Sequence, residues 1–293
     1  KDEVRVPRMG GILIWLAPLV MSFLFWGLAR IFPSPFFQKL NILSRSQTWL
    51  PLFTLTAASL VGAADDIIQI FGRGKYIAGG MRFSRRLAFI IIIALIGAYW
   101  FYVRLGKDAV MVPFVGEFSV GIWFILFFVI VMLSTFSGGV IDGLDGLAGG
   151  VMASIFSAFA VIAWLQNQID LATFAGVILG ALLAFLWFNI PPARFYMGET
   201  GIFGLTTTLT VLAFLTNTVL VLPIIALPLL ITSLSVIVQF ASKRFLKRKI
   251  FLVAPLHHHF EAKGWPSYKV TMRYWVLSVV SAVIGVVVAL LGK

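Results

Sequence analysis

Long apolar stretches separated by short polar segments dominate the sequence. Nine of these stretches approach the roughly 20 residues that a helix needs to cross the hydrocarbon core of a bilayer. They cover residues 10–29, 48–64, 86–103, 119–137, 147–165, 171–189, 201–217, 219–241 and 270–291. The pattern predicts an all-α polytopic membrane protein whose single transmembrane domain takes in residues 1–293. Between two spans, Pro113 and Gly116 separate short apolar runs, which predicts a small hairpin over 110–120.

The composition supports a bilayer as the solvent of this chain. Of the 293 residues, 60% are hydrophobic and 12% are charged. A soluble domain is usually about 45–50% apolar and about 25% charged, and a soluble fold of this length has too little interior for the excess. The sequence contains no cysteine, which excludes disulfides and thiolate chemistry.

The basic residues are distributed unequally between the two sides of the predicted bundle. The net charge is +12, from 23 Lys and Arg against 11 Asp and Glu. If residue 1 lies in the cytoplasm, 17 of the 23 basic residues fall on that side and 6 on the other. This is the positive-inside asymmetry, and it fixes the orientation. The basic excess therefore reflects topology rather than a nucleic-acid partner, and the run 243–249 is predicted to contact anionic membrane lipids.

Four polar clusters, far apart in the chain, fall on the same cytoplasmic side by the parity of the spans. They lie at helix ends, whereas transporters tend to bury charge near the bilayer midplane. A transporter of anionic substrates is the alternative from another functional class. It predicts substrate flux across the membrane without chemical turnover.

The first cluster, Asp65 and Asp66, ends the second span, and the second, Asp142 and Asp145, lies in the glycine-rich segment 138–150. Adjacent carboxylates near phosphate suit Mg²⁺, which takes one or two carboxylates together with substrate oxygens. Six glycines allow the backbone to approach a ligand closely. These features favour a phosphate-handling site over ordinary helix packing.

The third cluster, 189–201, joins two spans through a Pro-Pro pair and includes Asn189, Tyr196 and Glu199. A tyrosine at this depth is also typical of an interfacial aromatic belt. The fourth cluster contains three consecutive histidines at 257–259. Imidazoles can bind phosphate or transfer protons near neutral pH, but consecutive residues do not readily converge on one metal ion.

These four clusters, in this order and on this side, resemble the polyprenyl-phosphate N-acetylhexosamine-1-phosphate transferase superfamily. Segment 254–265, Ala-Pro-Leu-His-His-His-Phe-Glu-Ala-Lys-Gly-Trp, is similar to the hallmark of the bacterial phospho-N-acetylmuramoyl-pentapeptide transferases. The resemblance implies transfer of phospho-N-acetylmuramoyl-pentapeptide from its UDP carrier to undecaprenyl phosphate, which yields lipid I and UMP. It also implies Mg²⁺ as cofactor, a cytoplasmic site in the bacterial inner membrane, and a homodimer, although no residue here identifies an interface.

The resemblance assigns expected roles to individual side chains. The catalytic group is Asp65, Asp66, Asp142 and His257, and the Mg²⁺ ligands are Glu199, Asp66 and Asp142. The substrate-binding group is Asp145, Asn189, Tyr196, Arg73, Lys75, His258 and His259. His257 is expected to offset phosphate charge together with Arg73 and Lys75. Two roles stay open for Asp65: it deprotonates the lipid phosphate, or it attacks the sugar-side phosphorus and forms an acyl phosphate.

The chain departs from the family pattern at several positions. Gln69 replaces the lysine of Asp-Asp-x-x-Lys, Gly139 replaces an asparagine, and Glu199 replaces the aspartate of Met-Gly-Asp. Segment 5–11 resembles a divergent copy of Thr-Pro-Thr-Met-Gly-Gly. The family carries ten spans, so its first is expected to be missing here. These departures keep two alternatives open, a relative that uses UDP-N-acetylglucosamine and a non-catalytic paralogue that binds polyprenyl phosphate.

Overall fold

A computed structural model describes residues 6–32, 34–44, 46–72 and 80–292. Two expected binding residues, Arg73 and Lys75, lie outside the described residues. The helices are α1 (Ile12–Ile31), α2 (Pro35–Leu40), α3 (Ser46–Ile70), α4 (Phe83–Tyr99), α5 (Trp123–Ser137), α6 (Leu147–Leu165), α7 (Ile169–Asn189), α8 (Gly198–Leu215), α9 (Leu222–Ile225), α10 (Leu227–Ala241), α11 (Leu256–Ala262) and α12 (Ser267–Leu291). The strands are β1 (Ala109–Val112) and β2 (Gly116–Ser119).

Nine helices of the described chain are long and apolar enough to cross a membrane, which confirms the predicted fold class. The predicted boundaries of the span 147–165 agree with α6. The largest difference concerns the eighth span, predicted from residue 219, because α10 begins only at Leu227. Asn217 adopts a positive φ of 54° and ends the preceding helix region, and the short α9 precedes α10. Most of the residues between α8 and α10 are apolar although they form a turn and the short α9, so the sequence pattern extends the predicted span too far toward the N-terminus.

The predicted hairpin is present at the opposite end of the bundle from the four polar clusters. β1 pairs antiparallel with β2, with Val110 opposite Phe118. The backbone N–H of Phe114 donates to the carbonyl of Gly292 over 2.8 Å, which ties the hairpin to the end of α12. The Nζ of Lys107 donates to Oδ1 of Asn217 over 2.8 Å. These two hydrogen bonds connect the helices at the end of the bundle that lies away from the polar clusters.

The centre of the bundle is α8, whose residues 200–215 are all buried. The helix packs along α3, and glycines permit the close approach: a Cβ on Gly204 would overlap the side chain of Ser59. Four of its five threonines form hydrogen bonds within the protein, as in the 2.6 Å contact between Thr210 and Thr135. Buried polar groups need such partners because hydrocarbon offers none. Many apolar side chains of α1, α4 and α12 instead lie on the outer surface, where lipid would contact them.

Candidate active site

The site is built where α3 crosses the first turn of α8. A Cβ on Gly62 would overlap the carbonyl oxygen of Glu199, so only glycine allows this contact at the end of α3. Gly198 begins α8 with a positive φ of 73°, a conformation that costs glycine little. The two helices therefore meet backbone to backbone, one turn from the carboxylates of Asp65 and Asp66.

Asp66 holds the start of α8. Its Oδ1 accepts from the backbone N–H of Glu199 over 3.1 Å, and its Oδ2 accepts from that of Thr200 over 2.9 Å. Both donors belong to the first turn of a helix, where no carbonyl within the helix can accept from them. The buried side chain of Asp66 is thus the cap of another helix, and it fixes where Glu199 lies.

Arg86, near the start of α4, joins two carboxylates from different helices. Its Nη2 lies 2.8 Å from Oδ2 of Asp65, and its Nη1 lies 2.9 Å from Oε1 of Glu199. Asp65 is fully buried, and its Oδ1 also accepts from the backbone N–H of Met81 over 2.5 Å. A buried carboxylate requires such compensation because ionised groups lose hydration on burial.

Asp142 brings a further negative charge to the first turn of α8. It follows a 3₁₀ turn over Gly138–Ile141 that continues α5, and its side chain keeps access to solvent. Neighbouring protein atoms displace water from the carboxylate of Asp142, which disfavours its charged form. This loss of hydration, together with the charges of Glu199 and Asp66, raises the pKa of Asp142 to about 7, against a smaller opposing effect of the Gly198 N–H. Like charges that raise a pKa in this way attract a cation.

The loop between Asp142 and α6 is held by side chains of other helices. Asn189 at the end of α7 accepts from the N–H of Gly146 over 3.0 Å and donates to the carbonyl of Phe195 over 2.9 Å. The indole N–H of Trp275 in α12 donates to the carbonyl of Gly146 over 2.9 Å. Asn189, expected to bind substrate, is buried and joins the second cluster to the third.

Asp145 and Tyr196 both form hydrogen bonds with other residues of the protein. Oδ2 of Asp145 accepts from the backbone N–H of Ala193 over 3.0 Å, so one carboxylate oxygen secures the Pro-Pro loop. Tyr196 is half-buried, and its backbone N–H donates to the carbonyl of Pro7 over 2.9 Å. Neither placement tests the expected roles of Asp145 and Tyr196 in substrate binding, which stay predictions.

The three histidines of α11 point to different partners. His257 is fully buried, and a Cβ on Gly143 would overlap its Nε2. His258 lies with Nδ1 2.7 Å from Oε2 of Glu261. Nδ1 of His259 accepts from the N–H of Leu252 over 3.0 Å.

The buried position of His257 affects the charge of its ring in the site without substrate. Burial, together with the charge of His258, lowers the pKa of His257 to about 3, so the ring is neutral at pH 7. Its expected role in offsetting phosphate charge stays a prediction, because a bound phosphate would itself favour the protonated ring. Within the described residues neither of its ring nitrogens has a hydrogen-bond partner, and the ring faces the loop that carries Asp142.

The N-terminal segment adds a cation that sequence reasoning missed. The guanidinium of Arg8 donates from Nη1 to Oε1 of Gln69, one turn beyond Asp66 on α3. Its charge lies close enough to Asp142 to oppose the rise of that pKa. Arg86 was also missed as a site residue. Arg82 and Arg85 precede it in one basic run, and no sequence signal distinguishes the arginine that turns inward.

The structure thus gathers Asp65, Asp66, Asp142 and Glu199 at one end of the bundle, with His257 and His258 across Gly143. Among the described residues, no three His, Cys, Asp or Glu side chains converge closely enough to hold a metal ion alone. Mg²⁺, however, is usually held by one or two carboxylates together with waters and substrate phosphates. The solvent-accessible pair Asp142 and Glu199 fits that demand.

Comparison with known proteins identifies the family. The model of glycosyl transferase family 4 matches residues 48–217, which is more than half of the chain. The chain belongs to glycosyl transferase family 4. All four carboxylates gathered at the start of α8 lie within this matched segment of the family member, whereas the histidines of α11 and the N-terminal Arg8 lie beyond it.

Three relatives of this family 4 glycosyl transferase carry the name phospho-N-acetylmuramoyl-pentapeptide-transferase. The protein from Levilactobacillus brevis is 36% identical over 288 residues, which cover 97% of this chain and 84% of that protein. The protein from Bartonella quintana is 32% identical, over 97% of this chain and 79% of its own length. The protein from Chloroflexus aurantiacus is 33% identical, over 99% and 78%. These similarities confirm the resemblance noted in the sequence.

Proposed function

We propose that this chain transfers phospho-N-acetylmuramoyl-pentapeptide from its UDP carrier to undecaprenyl phosphate at the cytoplasmic face of the bacterial inner membrane. The products are lipid I and UMP. One observation carries the proposal: the first turn of α8 joins Glu199 to Asp65 and Asp66 of α3, beside Asp142. The relatives that match 95% or more of the chain carry the name of this activity.

The chemistry requires neutralisation and alignment rather than elaborate covalent help. Phosphoryl transfer is promoted mainly by in-line positioning and by stabilisation of the charge on phosphate oxygens. Arg86, held by Asp65 and Glu199, supplies one fixed positive charge at the site. Asp65 retains both roles proposed from the sequence, as base toward the lipid phosphate or as nucleophile toward the donor. In either role it must exchange its contact with Arg86 for one with substrate.

Mg²⁺ fits the site through the carboxylates of Glu199 and Asp142. When bound there, it would neutralise the diphosphate of the donor and stabilise UMP as it leaves. Asp66 is better suited to positioning, because backbone N–H groups of α8 occupy both of its oxygens. The neutral ring of His257 is suited to hydrogen bonding or proton transfer, since its two nitrogens are not engaged by the described protein.

The position of the site at a helix end suits two substrates of opposite solubility. Asp142 and Glu199 keep access to solvent beside the first turn of α8, so a water-soluble donor can reach these two carboxylates. A polyprenyl tail can remain in hydrocarbon along the apolar outer surfaces of the helices. The homodimer implied by the resemblance stays a prediction, which the mass of the detergent-solubilised protein tests.

UMP release by the purified full-length protein in detergent tests the proposal. The protein receives undecaprenyl phosphate and either UDP-N-acetylmuramoyl-pentapeptide or UDP-N-acetylglucosamine, with Mg²⁺ or EDTA. We expect release from the muramoyl donor only, dependent on both lipid and Mg²⁺, and its loss in Asp65→Asn. Release from the N-acetylglucosamine donor instead would assign the chain to the alternative transferase class. No release by folded protein would favour the non-catalytic paralogue.

A further inference from the structure

The N-terminal segment is fixed to the active-site end of the bundle by backbone contacts. The N–H of Tyr196 donates to the carbonyl of Pro7 over 2.9 Å, and the N–H of Gly10 donates to the carbonyl of Tyr196 over 2.8 Å. The N–H of Gly11 donates to the carbonyl of Met197 over 2.9 Å. The residue between these contacts, Arg8, is therefore held next to the first turn of α8.

The side chain of Arg8 has a neutral partner in an acidic neighbourhood. Its guanidinium bonds the amide oxygen of Gln69, and in the described part of the chain no carboxylate lies within ion-pair distance of it. The group is exposed, yet its charge acts on Asp142. An amide partner orients the guanidinium without neutralising it, so the charge remains available to an anion that enters from solvent.

Arg8 and Arg86 differ in the charge of their partners. Arg86 lies between two carboxylates, Asp65 and Glu199, so its positive charge is already offset before a phosphate arrives. The charge of Arg8 is not offset by an ion pair in this way. Guanidinium groups bind phosphate through parallel, charge-assisted hydrogen bonds, and the guanidinium of Arg8 is exposed where a phosphate from solvent can reach it.

We propose that Arg8 is a binding residue for a substrate phosphate and that Gln69 is the positioning residue that orients it. The inference rests on the proposed transferase function and deepens it. The phosphate belongs either to the nucleotide diphosphate or to the polyprenyl monophosphate. Both sources present the same chemistry to a guanidinium, and separate binding measurements distinguish them.

The test uses the purified full-length chain in detergent and two probes, UDP and farnesyl phosphate, with Kd measured by calorimetry. We expect Arg8→Gln to weaken the binding of one probe by about tenfold or more, the usual scale of a lost charge-assisted contact. The weakened probe identifies the source of the phosphate. Gln69→Ala should weaken the same probe by a smaller factor, and in the UMP-release assay it should raise KM by a larger factor than it lowers kcat.

A double variant that moves the positive charge from residue 8 to residue 69 tests whether the charge itself binds the phosphate. Arg8→Gln combined with Gln69→Lys returns a positive charge to the partner side chain, and we expect it to recover most of the lost affinity. Arg85→Gln is the matched control, because Arg85 is an exposed arginine of the same basic side of the chain. It removes the same charge and should leave both Kd values within about twofold.

The outcomes separate this inference from the proposed function. Wild-type UMP release together with unchanged binding in Arg8→Gln overturns the inference alone. Equal losses in Arg8→Gln and Arg85→Gln also overturn it, because they reveal only the general field of the basic surface. Arg8-dependent binding without UMP release from the muramoyl donor supports the phosphate contact and rejects the transferase. Failure of the wild type to bind either probe overturns the inference.

Discussion

The guanidinium of Arg86 lies between the carboxylates of Asp65 and Glu199, with contacts of 2.8 and 2.9 Å. Asp65 is buried at the end of α3, and Glu199 begins the central helix α8. One side chain of α4 thus holds together two carboxylates that lie 134 positions apart in the sequence, one on α3 and one on α8. This contact makes Arg86 both a structural and an electrostatic element of the site.

Arg86→Gln should impair both stability and turnover. The change leaves the buried carboxylate of Asp65 without its counter-charge, which costs on the order of 3 kcal/mol, reduced to the extent that water reaches the site. UMP release should fall by about 100-fold or more, because a fixed charge at the reacting phosphates is lost. The unfolding midpoint in detergent and the rate of UMP release measure the two effects.

Arg86→Lys and Arg85→Gln serve as controls for that prediction. Lysine retains the charge but cannot contact both carboxylates with a fork of two N–H groups, so we expect an intermediate loss. Arg85 is exposed, and its replacement by glutamine should change neither quantity appreciably. An Arg86→Gln protein as stable and as active as the wild type would refute the importance of the bridge.

Gly62→Ala should displace Glu199 without changing any charged group. The new Cβ would overlap the carbonyl oxygen of Glu199, so α3 and α8 must separate. Overpacking of this kind costs roughly 1–3 kcal/mol, and turnover should fall with it. Gly180→Ala in α7 is the matched control, since its Cβ meets nothing within 4 Å. The idea fails if both variants show the same midpoint and the same UMP release.

Acid should destabilise the protein through His257. Burial lowers the pKa of His257 to about 3, while an unfolded histidine titrates near 6.5. Between these values the unfolded state binds a proton that the folded state does not. Stability is therefore retained above about pH 6.5 and declines as the pH falls toward 3, by at most about 1.4 kcal/mol per pH unit.

His257→Asn tests this pH dependence because asparagine does not titrate. The unfolding midpoint of both proteins in detergent is measured from pH 7.5 to 4.5. We expect the midpoint of the wild type to fall more steeply below pH 6.5 than that of the variant. Parallel curves would show that His257 carries its proton in the folded state as readily as in the unfolded state.

Mg²⁺ dependence should distinguish the carboxylates. In Glu199→Gln and in Asp142→Asn, the Mg²⁺ concentration for half-maximal UMP release should rise by about tenfold or more, since changes near a metal typically cost that much affinity. Asp145→Asn should leave that concentration unchanged, because the Asp145 carboxylate is engaged by the N–H of Ala193. Full turnover in EDTA, or an equal shift in Asp145→Asn, would contradict the assignment.

The sequence alone predicted much of the architecture. Length and apolarity determine whether a helix can cross a bilayer, so the nine spans and the hairpin between two of them followed from the pattern. The parity of the spans placed the four clusters on one side, and contacts such as those of Asn189 with Gly146 and Phe195 join them in space.

Other features of the site depend on how each helix is rotated about its axis and on how deeply each side chain is buried. The sequence pattern records neither property. Each residue of a helix turns the side chain by about 100°, so the orientation of α4 decides that Arg86 faces Asp65. Burial of His257 changes its charge, and it follows from packing against the loop at Gly143. Asp66 was expected to be a ligand, but its two backbone partners on α8 became visible only in three dimensions.

The burial of residues 200–215 of α8 shields the site from changes in the thickness of the bilayer. Bilayers differ in thickness, and the mismatch with helix length is absorbed by tilting or bending of helices that contact lipid. Residues 200–215 of α8 are covered by other helices, whereas α1 and α12 present many apolar side chains outward. Changes in lipid composition should therefore act on the peripheral helices, while Glu199 keeps its position in the first turn of the central helix.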